Sequence, residues 1–270
     1  MARPADLLHH RTEGPADAPL LVLGPSLGTS TAVWEPHVAR LAGQYRVLRF
    51  DLPGHGGSSA APLPDPRPGG TSMADLARLV LDLADHHGHH AFHYAGISLG
   101  GAIGAHLAVH HPDRISSLCL ISSSARFGDP AHWRDRAAEV RRRGTAPLLK
   151  AAAQRWFADP ATAATARGAA LLRDLAGVDP AGYAACCDAI AGHDLRADLP
   201  RVTAPALVVA GARDVATPPS QAEELARGMG HAALVTVDSG HLAAPGETAA
   251  VTDALLAHLA AVAGQGARRP

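Results

Sequence analysis

Residues 94–104 read YAGISLGGAIG, with Ser98 two residues from Gly96 on one side and from Gly100 on the other. Gly-x-Ser-x-Gly is short enough to arise by chance, so the flanking chain decides what it is. Residues 91–97 form a short apolar run, the pattern of a buried strand, and residues 99–110 read as a helix closed by Pro112. A strand that passes through one serine straight into a helix is the setting of a nucleophile elbow. Small residues at 96 and 100 let the chain turn tightly and leave the Ser98 hydroxyl at the tip. The helix that starts there brings unpaired N–H groups and the positive end of its dipole to the same point.

The same alternation continues on either side of this turn. Apolar runs at 20–23, 46–50 and 117–121, and again at 206–210 and 233–237, predict further strands. Helical spacing predicts helices over 33–41, 220–228 and 247–262, and over 72–84, where Ser72 caps the first turn with Asp75 three residues on. Strands that alternate with helices imply the α/β class: a mostly parallel sheet with helices on both faces. From 122 to 199 the rhythm changes. No strand is expected there, and helical windows at 131–143, 146–156 and 181–191 follow one another. The expected organisation is a core of residues 1–121 and 200–270 with a helical cap, or lid, of residues 122–199 over the strand ends, where such sheets bind ligands.

Composition narrows the function classes. The chain has 270 residues, 47% of them hydrophobic, enough for one large core. Lys and Arg number 24 against 25 Asp and Glu, so no basic face is implied and neither nucleic acid nor an anionic membrane is an expected partner. Seventeen histidines are scattered without HExxH or CxxC spacing, so no metal is expected. Three cysteines, two of them adjacent at 186 and 187, make no disulfide framework and fit a reduced, cytoplasmic setting. The N-terminal stretch shows no secretory h-region, and no apolar run reaches membrane-spanning length.

A serine hydroxyl is a weak nucleophile until a base takes its proton, and the base needs a group to orient it. The elbow arrangement supplies these in the order Ser, Asp, His after later strands. Asp214 lies just past the strand expected at 206–210, and His241 just past that at 233–237. Taken singly, Asp214 is a loop carboxylate and His241 a surface histidine. Three placements at the same sheet edge make them the expected catalytic set with Ser98. Asp238 is the competing carboxylate, ranked lower because it stands only three residues before the histidine. The backbone N–H of Leu99 is one expected oxyanion donor. The second should come from the loop after the first core strand, where counting from the strand end reaches the N–H of Leu27; the alternative is a plain glycine turn at Gly28.

DLPGHGGSS (51–59), GISLGGAIG (96–104), GARDVATPP (211–219) and SGHLA (239–243) together resemble the α/β-hydrolase superfamily over nearly the whole chain. Three stretches are more selective: Ser-Leu-Gly-Thr at 26–29, Tyr-Ala-Ala-Cys-Cys at 183–187, and Ala-Thr-Pro-Pro after Asp214. They resemble the 3-oxoadipate enol-lactonase family of aromatic catabolism. That resemblance implies hydrolysis of an enol-lactone bearing an acetate arm, through Ser98, His241 and Asp214, with no cofactor. Other carboxylesterases and lactonases, cofactor-free perhydrolases and carbon–carbon hydrolases share the fold, and a ligand-binding protein without catalysis is the more distant alternative. The expected partner is a small lactone or ester carrying a carboxylate; oligomeric state is left open.

Two departures bear on the substrate. Ala191 stands where the family commonly has arginine, and Pro25 where it usually has asparagine. A carboxylate arm calls for a cation or several N–H donors. The cap offers Arg126, Arg134, Arg136, Arg155 and the run 141–143, the run being expected as a solvated helix face. Trp156 and Arg155, in the sequence RWF, are expected to line the pocket. Trp34, Trp133 and the cysteine pair are expected to pack.

Overall fold

Seven strands make one sheet among the described residues, which run from 7 to 266 apart from 64 and 66 in this computed structural model. They are β1 (His10–Glu13), β2 (Leu20–Gly24), β3 (Arg46–Phe50), β4 (Phe92–Ile97), β5 (Ile115–Ile121), β6 (Ala206–Gly211) and β7 (Ala233–Val237). The spatial order is β1-β3-β2-β4-β5-β6-β7; β1 runs antiparallel to β3 and every other pairing is parallel. Successive residues of a strand point to opposite faces. All residues of β2 and β6 are buried, so both faces of the sheet centre are covered, as the continuous apolar runs imply.

The helices of the alternating region are α1 (Glu35–Leu41), α2 (Met73–His86), α3 (Leu99–His110), α8 (Pro219–Met229), the single turn α9 (Ala243–Gly246) and α10 (Thr248–Gly266). Ser72 and Asp75 form a reciprocal capping box at the start of α2, worth about 1 kcal/mol. Leu76, Leu79, Val80 and Leu83 of that helix are all buried. α3 packs on β4 and β5 with α2 against it, and α10 reaches β5, β6 and β7 with α1 against it.

Between β5 and β6 lie α4 (Pro130–Arg143), α5 (Leu149–Trp156), α6 (Ala166–Ala176) and α7 (Pro180–Ala191), with no strand among them. α4 lies along α7, and α5 against α6. α7 crosses the loop after β3 backbone to backbone. The Asp179 N–H donates to the Gly54 carbonyl at 2.8 Å, and a Cβ on Gly182 would meet Gly54 Cα at 2.6 Å.

Several expectations need correction. β1 was not expected, because HRTE has no apolar alternation. It exists through its ladder to β3 and through Glu13, which accepts from the buried Arg49 at 2.6 Å. α6 was not expected either: four of its apolar residues are alanines, and Leu171 and Leu175 are buried by tertiary contacts, Leu175 against Gly28 of the loop after β2. The expected helix over 33–41 begins as a 3-10 turn at Thr31–Trp34. Arg141 is not solvated. Its side chain is 20% exposed and pairs with Asp188, 5% exposed, which also accepts the Gly69 N–H at 3.0 Å. Arg142 and Arg143 are exposed, as expected. The ends of the expected core, residues 1–6 and 267–270, fall outside the described residues, as do 64 and 66. Among the described residues no helix is long and apolar enough to cross a membrane.

Candidate active site

β4 delivers Ser98 to the edge of the sheet, and α3 leaves from it. Ser98 has φ 55° and ψ −115°, a conformation rare for a side-chain-bearing residue, which the packing around it must enforce. The close approach explains the two glycines. A Cβ on Gly96 would strike the Gly100 carbonyl, and one on Gly100 would strike the Gly24 carbonyl of β2. Tyr94 closes the turn from below by donating its hydroxyl to the Gly100 carbonyl at 2.9 Å.

His241 Nε2 lies 3.0 Å from Ser98 Oγ, and His241 Nδ1 lies 2.9 Å from Asp214 Oδ2. With the proton on Nδ1, the ring donates to the carboxylate and keeps Nε2 as an acceptor for the serine hydroxyl. Parallel pairing of β5, β6 and β7 brings the loops that follow β6 and β7 to the edge where Ser98 sits. The backbone fixes their mutual position. Arg213 N–H donates to the Ser239 carbonyl at 2.9 Å, and Leu242 N–H donates to the Trp156 carbonyl at the end of α5 at 2.9 Å. All three side chains are buried.

Asp214 also accepts the Ala216 and Thr217 N–H groups at 2.7 and 2.9 Å and the Thr217 hydroxyl at 2.6 Å. Burial pushes its carboxyl up. The hydrogen bond and charge of His241 and the bonds from Thr217 outweigh that and hold it below its ordinary value. Thr217 Oγ1 is 3.2 Å from His241 Nδ1 as well. Sequence reasoning passed over Thr217; its signal is a hydroxyl three residues after an aspartate, the spacing of a local side-chain turn. Asp238, the competing carboxylate, has a side chain 78% exposed and pairs with Arg213 at 2.8 Å on the surface.

The loop after β2 accounts for its polar groups one by one. The Gly24 carbonyl accepts the Trp34 indole N–H at 3.0 Å, and the Pro25 carbonyl accepts the Gly100 N–H at 3.1 Å. The Ser26 carbonyl accepts the Thr29 N–H and hydroxyl, at 3.1 and 2.8 Å, and the Gly28 N–H donates to His55 Nε2 at 3.1 Å. The Leu27 N–H makes no hydrogen bond among the described residues, and neither does the Leu99 N–H at the first position of α3. Leu27 lines the cavity above Ser98. The Leu99 side chain is fully buried and does not line it.

That cavity has Ser26, Ser98, Thr217 and His241 on its polar side and Phe127, Trp156, Leu175 and Tyr183 among its apolar walls. Trp156 and Arg155 both line it. Trp34 packs, fully buried. Trp133 does not merely pack. It lines the cavity with Arg136, whose guanidinium carbon sits 4.8 Å from the indole centroid. The two are three residues apart on α4 and therefore share a face, a signal present in the sequence. Arg136 and Arg155 have no carboxylate partner within ion-pair distance among the described residues. Burial lowers the Arg155 pKa, and the nearby charge of Arg136 lowers it further.

Ala191 does not line this cavity. It borders a separate hollow with Gly69, Arg134, Arg141 and Arg142. Pro25 serves through its carbonyl, which needs no side-chain amide. Cys186 and Cys187 are buried, free thiols, and burial raises both, Cys187 to about 12, which favours the thiol over the thiolate at neutral pH.

A sequence model of the alpha/beta hydrolase fold matches residues 19–247. The chain is 34% identical to 3-oxoadipate enol-lactonase 2 of Acinetobacter baylyi over 87% of this chain and 86% of that one. It is 32% identical to a putative carbamate hydrolase RutD of Stutzerimonas stutzeri, over 96% of this chain and 97% of that one. Among solved structures, the enol-lactonase from Burkholderia xenovorans LB400 superposes with a TM-score of 0.88 at 35% identity, covering 94% of this chain and 96% of that chain. Sheet order, elbow and sequence likeness agree: this chain belongs to the alpha/beta hydrolase fold family.

Proposed function

We propose that this chain is a serine hydrolase that opens a carboxylate-bearing enol-lactone of the 3-oxoadipate type, working in the cytoplasm in aromatic catabolism. The observation that carries the proposal is the hydrogen-bonded chain Ser98–His241–Asp214 at the floor of a cavity with two guanidinium groups that lack a carboxylate partner among the described residues. Residues 122–199 act as the cap that supplies those groups and excludes water.

The lactone carbonyl sits over Ser98, and the acetate carboxylate lies against Arg136 and Arg155, where charge-assisted hydrogen bonds hold it. Ser98 Oγ attacks the carbonyl carbon as its proton passes to His241 Nε2. Asp214 holds the Nδ1 tautomer and stabilises the imidazolium. The N–H groups of Leu27 and Leu99 receive the oxyanion. Collapse breaks the ring C–O bond. The enolate so released remains part of the acyl chain and becomes a ketone by taking the proton held on His241 Nε2, which returns the imidazole to its neutral form. Water, deprotonated by His241, then attacks the acyl-Ser98 ester, and the diacid leaves.

The likeness to a putative carbamate hydrolase supports a second substrate class, a small carbamate, for the same residues. Loss of enol-lactone ultraviolet absorbance measures the first activity and ammonia release from carbamate the second. Ser98→Ala should lower kcat by roughly 10⁴-fold or more on whichever is the substrate. No turnover of the enol-lactone at high enzyme concentration, with carbamate consumed, sinks the lactonase assignment. Failure of Ser98 to be labelled by a fluorophosphonate sinks the hydrolase mechanism itself.

A further inference from the structure

We propose that His55 is a positioning residue that aims the oxyanion donor of Leu27 by holding the neighbouring peptide in one orientation; the proposal rests on the hydrolase mechanism above. His55 lies in the loop after β3, fully buried, is absent from the cavity lining, and hydrogen-bonds Pro53 and Gly28 rather than Ser98, His241 or Asp214. Its Nδ1 is 2.9 Å from the Pro53 carbonyl, which can only accept, so Nδ1 carries the proton. Nε2 is therefore a bare lone pair, and it accepts the Gly28 N–H at 3.1 Å. Both ring nitrogens are thus spoken for, and one tautomer satisfies both. A second proton on Nε2 would face the Gly28 N–H donor to donor; burial opposes it and lowers the His55 pKa to about 4.

Residues 26–29 form a tight turn closed by the Thr29 N–H to the Ser26 carbonyl at 3.1 Å, with Leu27 and Gly28 at its centre. Gly28 has φ +84°, the value that distinguishes one common turn type from the other. The two types differ by a flip of the central peptide, which is the peptide whose N–H His55 accepts. Thr29 secures the first peptide of the turn and His55 the second, so Leu27 is held from both sides while its own N–H stays free. The ring is itself held by Tyr183, stacked at 6.1 Å and 19°. Tyr183 belongs to α7 and lines the cavity, so His55 ties the donor loop to the cap.

The test compares His55→Leu, which keeps bulk and removes the acceptor, with His55→Gln, whose Oε1 reaches the place of Nε2. Three quantities are read: kcat/KM on an aryl ester or the enol-lactone, Ki for an aryl trifluoromethyl ketone, and Ki for glutarate. The ketone forms an oxyanion on Ser98; glutarate occupies the cavity without one. His55→Leu should lose roughly ten- to a hundredfold in kcat/KM, mostly in kcat, and the same factor in ketone affinity. Glutarate affinity should stay unchanged, and His55→Gln should recover most of the loss. Where His55→Leu does not fold, His55→Met takes its place in the contrast. Wild-type ketone affinity in the Leu variant overturns the proposal. Equal losses for ketone and glutarate, or no recovery in the Gln variant, also overturn it. A wild-type protein that turns over no ester or lactone and leaves Ser98 unlabelled fails at the hydrolase mechanism instead, which is a different result.

Discussion

Arg136 and Arg155 set the character of the cavity at the scale of single residues. Each guanidinium is partly removed from water and neither has a carboxylate within ion-pair distance among the described residues, so the site carries a positive charge that an anionic substrate would offset. Replacing either with Gln should raise KM for a carboxylate-bearing lactone roughly tenfold, the scale of one charge-assisted hydrogen bond, with kcat little changed. A neutral aryl ester supplies the control: its KM should stay constant or fall. Equal effects on both substrates would show that the arginines support the cap and do not read charge. The residue scale also shows how far motif spacing reached. Ser98, Asp214 and His241 were legible because each follows a strand, and strand ends share one edge in a parallel sheet. Thr217 and Trp133 needed the additional step of asking which neighbours share a turn or a helix face.

At the scale of elements, α7 and the loop after β3 meet with no side chain between them. Gly182 is where the two backbones pass, and Tyr183, the next residue, reaches the cavity and stacks on His55. Gly182→Val should force α7 outward. Overpacking of this kind costs about 2 kcal/mol, to be seen as a lower urea midpoint with an unchanged m-value. The same displacement should raise KM, since a cavity wall moves with the helix. A variant with wild-type stability and KM would show that the contact yields easily. β1 and α6, neither of them expected from the sequence, are the elements whose stability is tertiary. β1 is four residues of polar and charged sequence held by an edge ladder and a buried arginine, and α6 buries its apolar residues only in its partners' company.

Over the whole molecule, His37, His55 and His193 share one property: each is buried, and burial lowers each pKa from 6.5 to about 4. The folded state therefore holds them neutral in a range where the unfolded chain protonates them. Between about pH 6.5 and 4 the unfolded state binds more protons, so stability is complete above that window and falls as the pH is lowered through it. Each histidine contributes a slope of up to about 1.4 kcal/mol per pH unit. Three acting together should produce cooperative acid unfolding within this range, measured by circular dichroism against pH. A melting temperature that stays flat from pH 7 to 4.5 would contradict the neutral, buried assignment.

The alternation of β2 to β7 with helices, the elbow at Ser98 and the interruption by helices were determined by the sequence itself. Apolar period and chain breaks are local properties, and parallel pairing leaves little freedom in where the loops emerge. Sequence ranked Asp214 above Asp238, and the tertiary structure adds which of the two meets His241. The two stand at different depths, one buried against His241 and the other paired with Arg213 at the surface. It also decided which arginines enter the cavity, and that position 191 borders another hollow altogether. Long side chains on a cap helix are equally charged and equally spaced on every face. Only the packing of α4 along α7 turns one face toward Ser98 and the other toward the surface hollow.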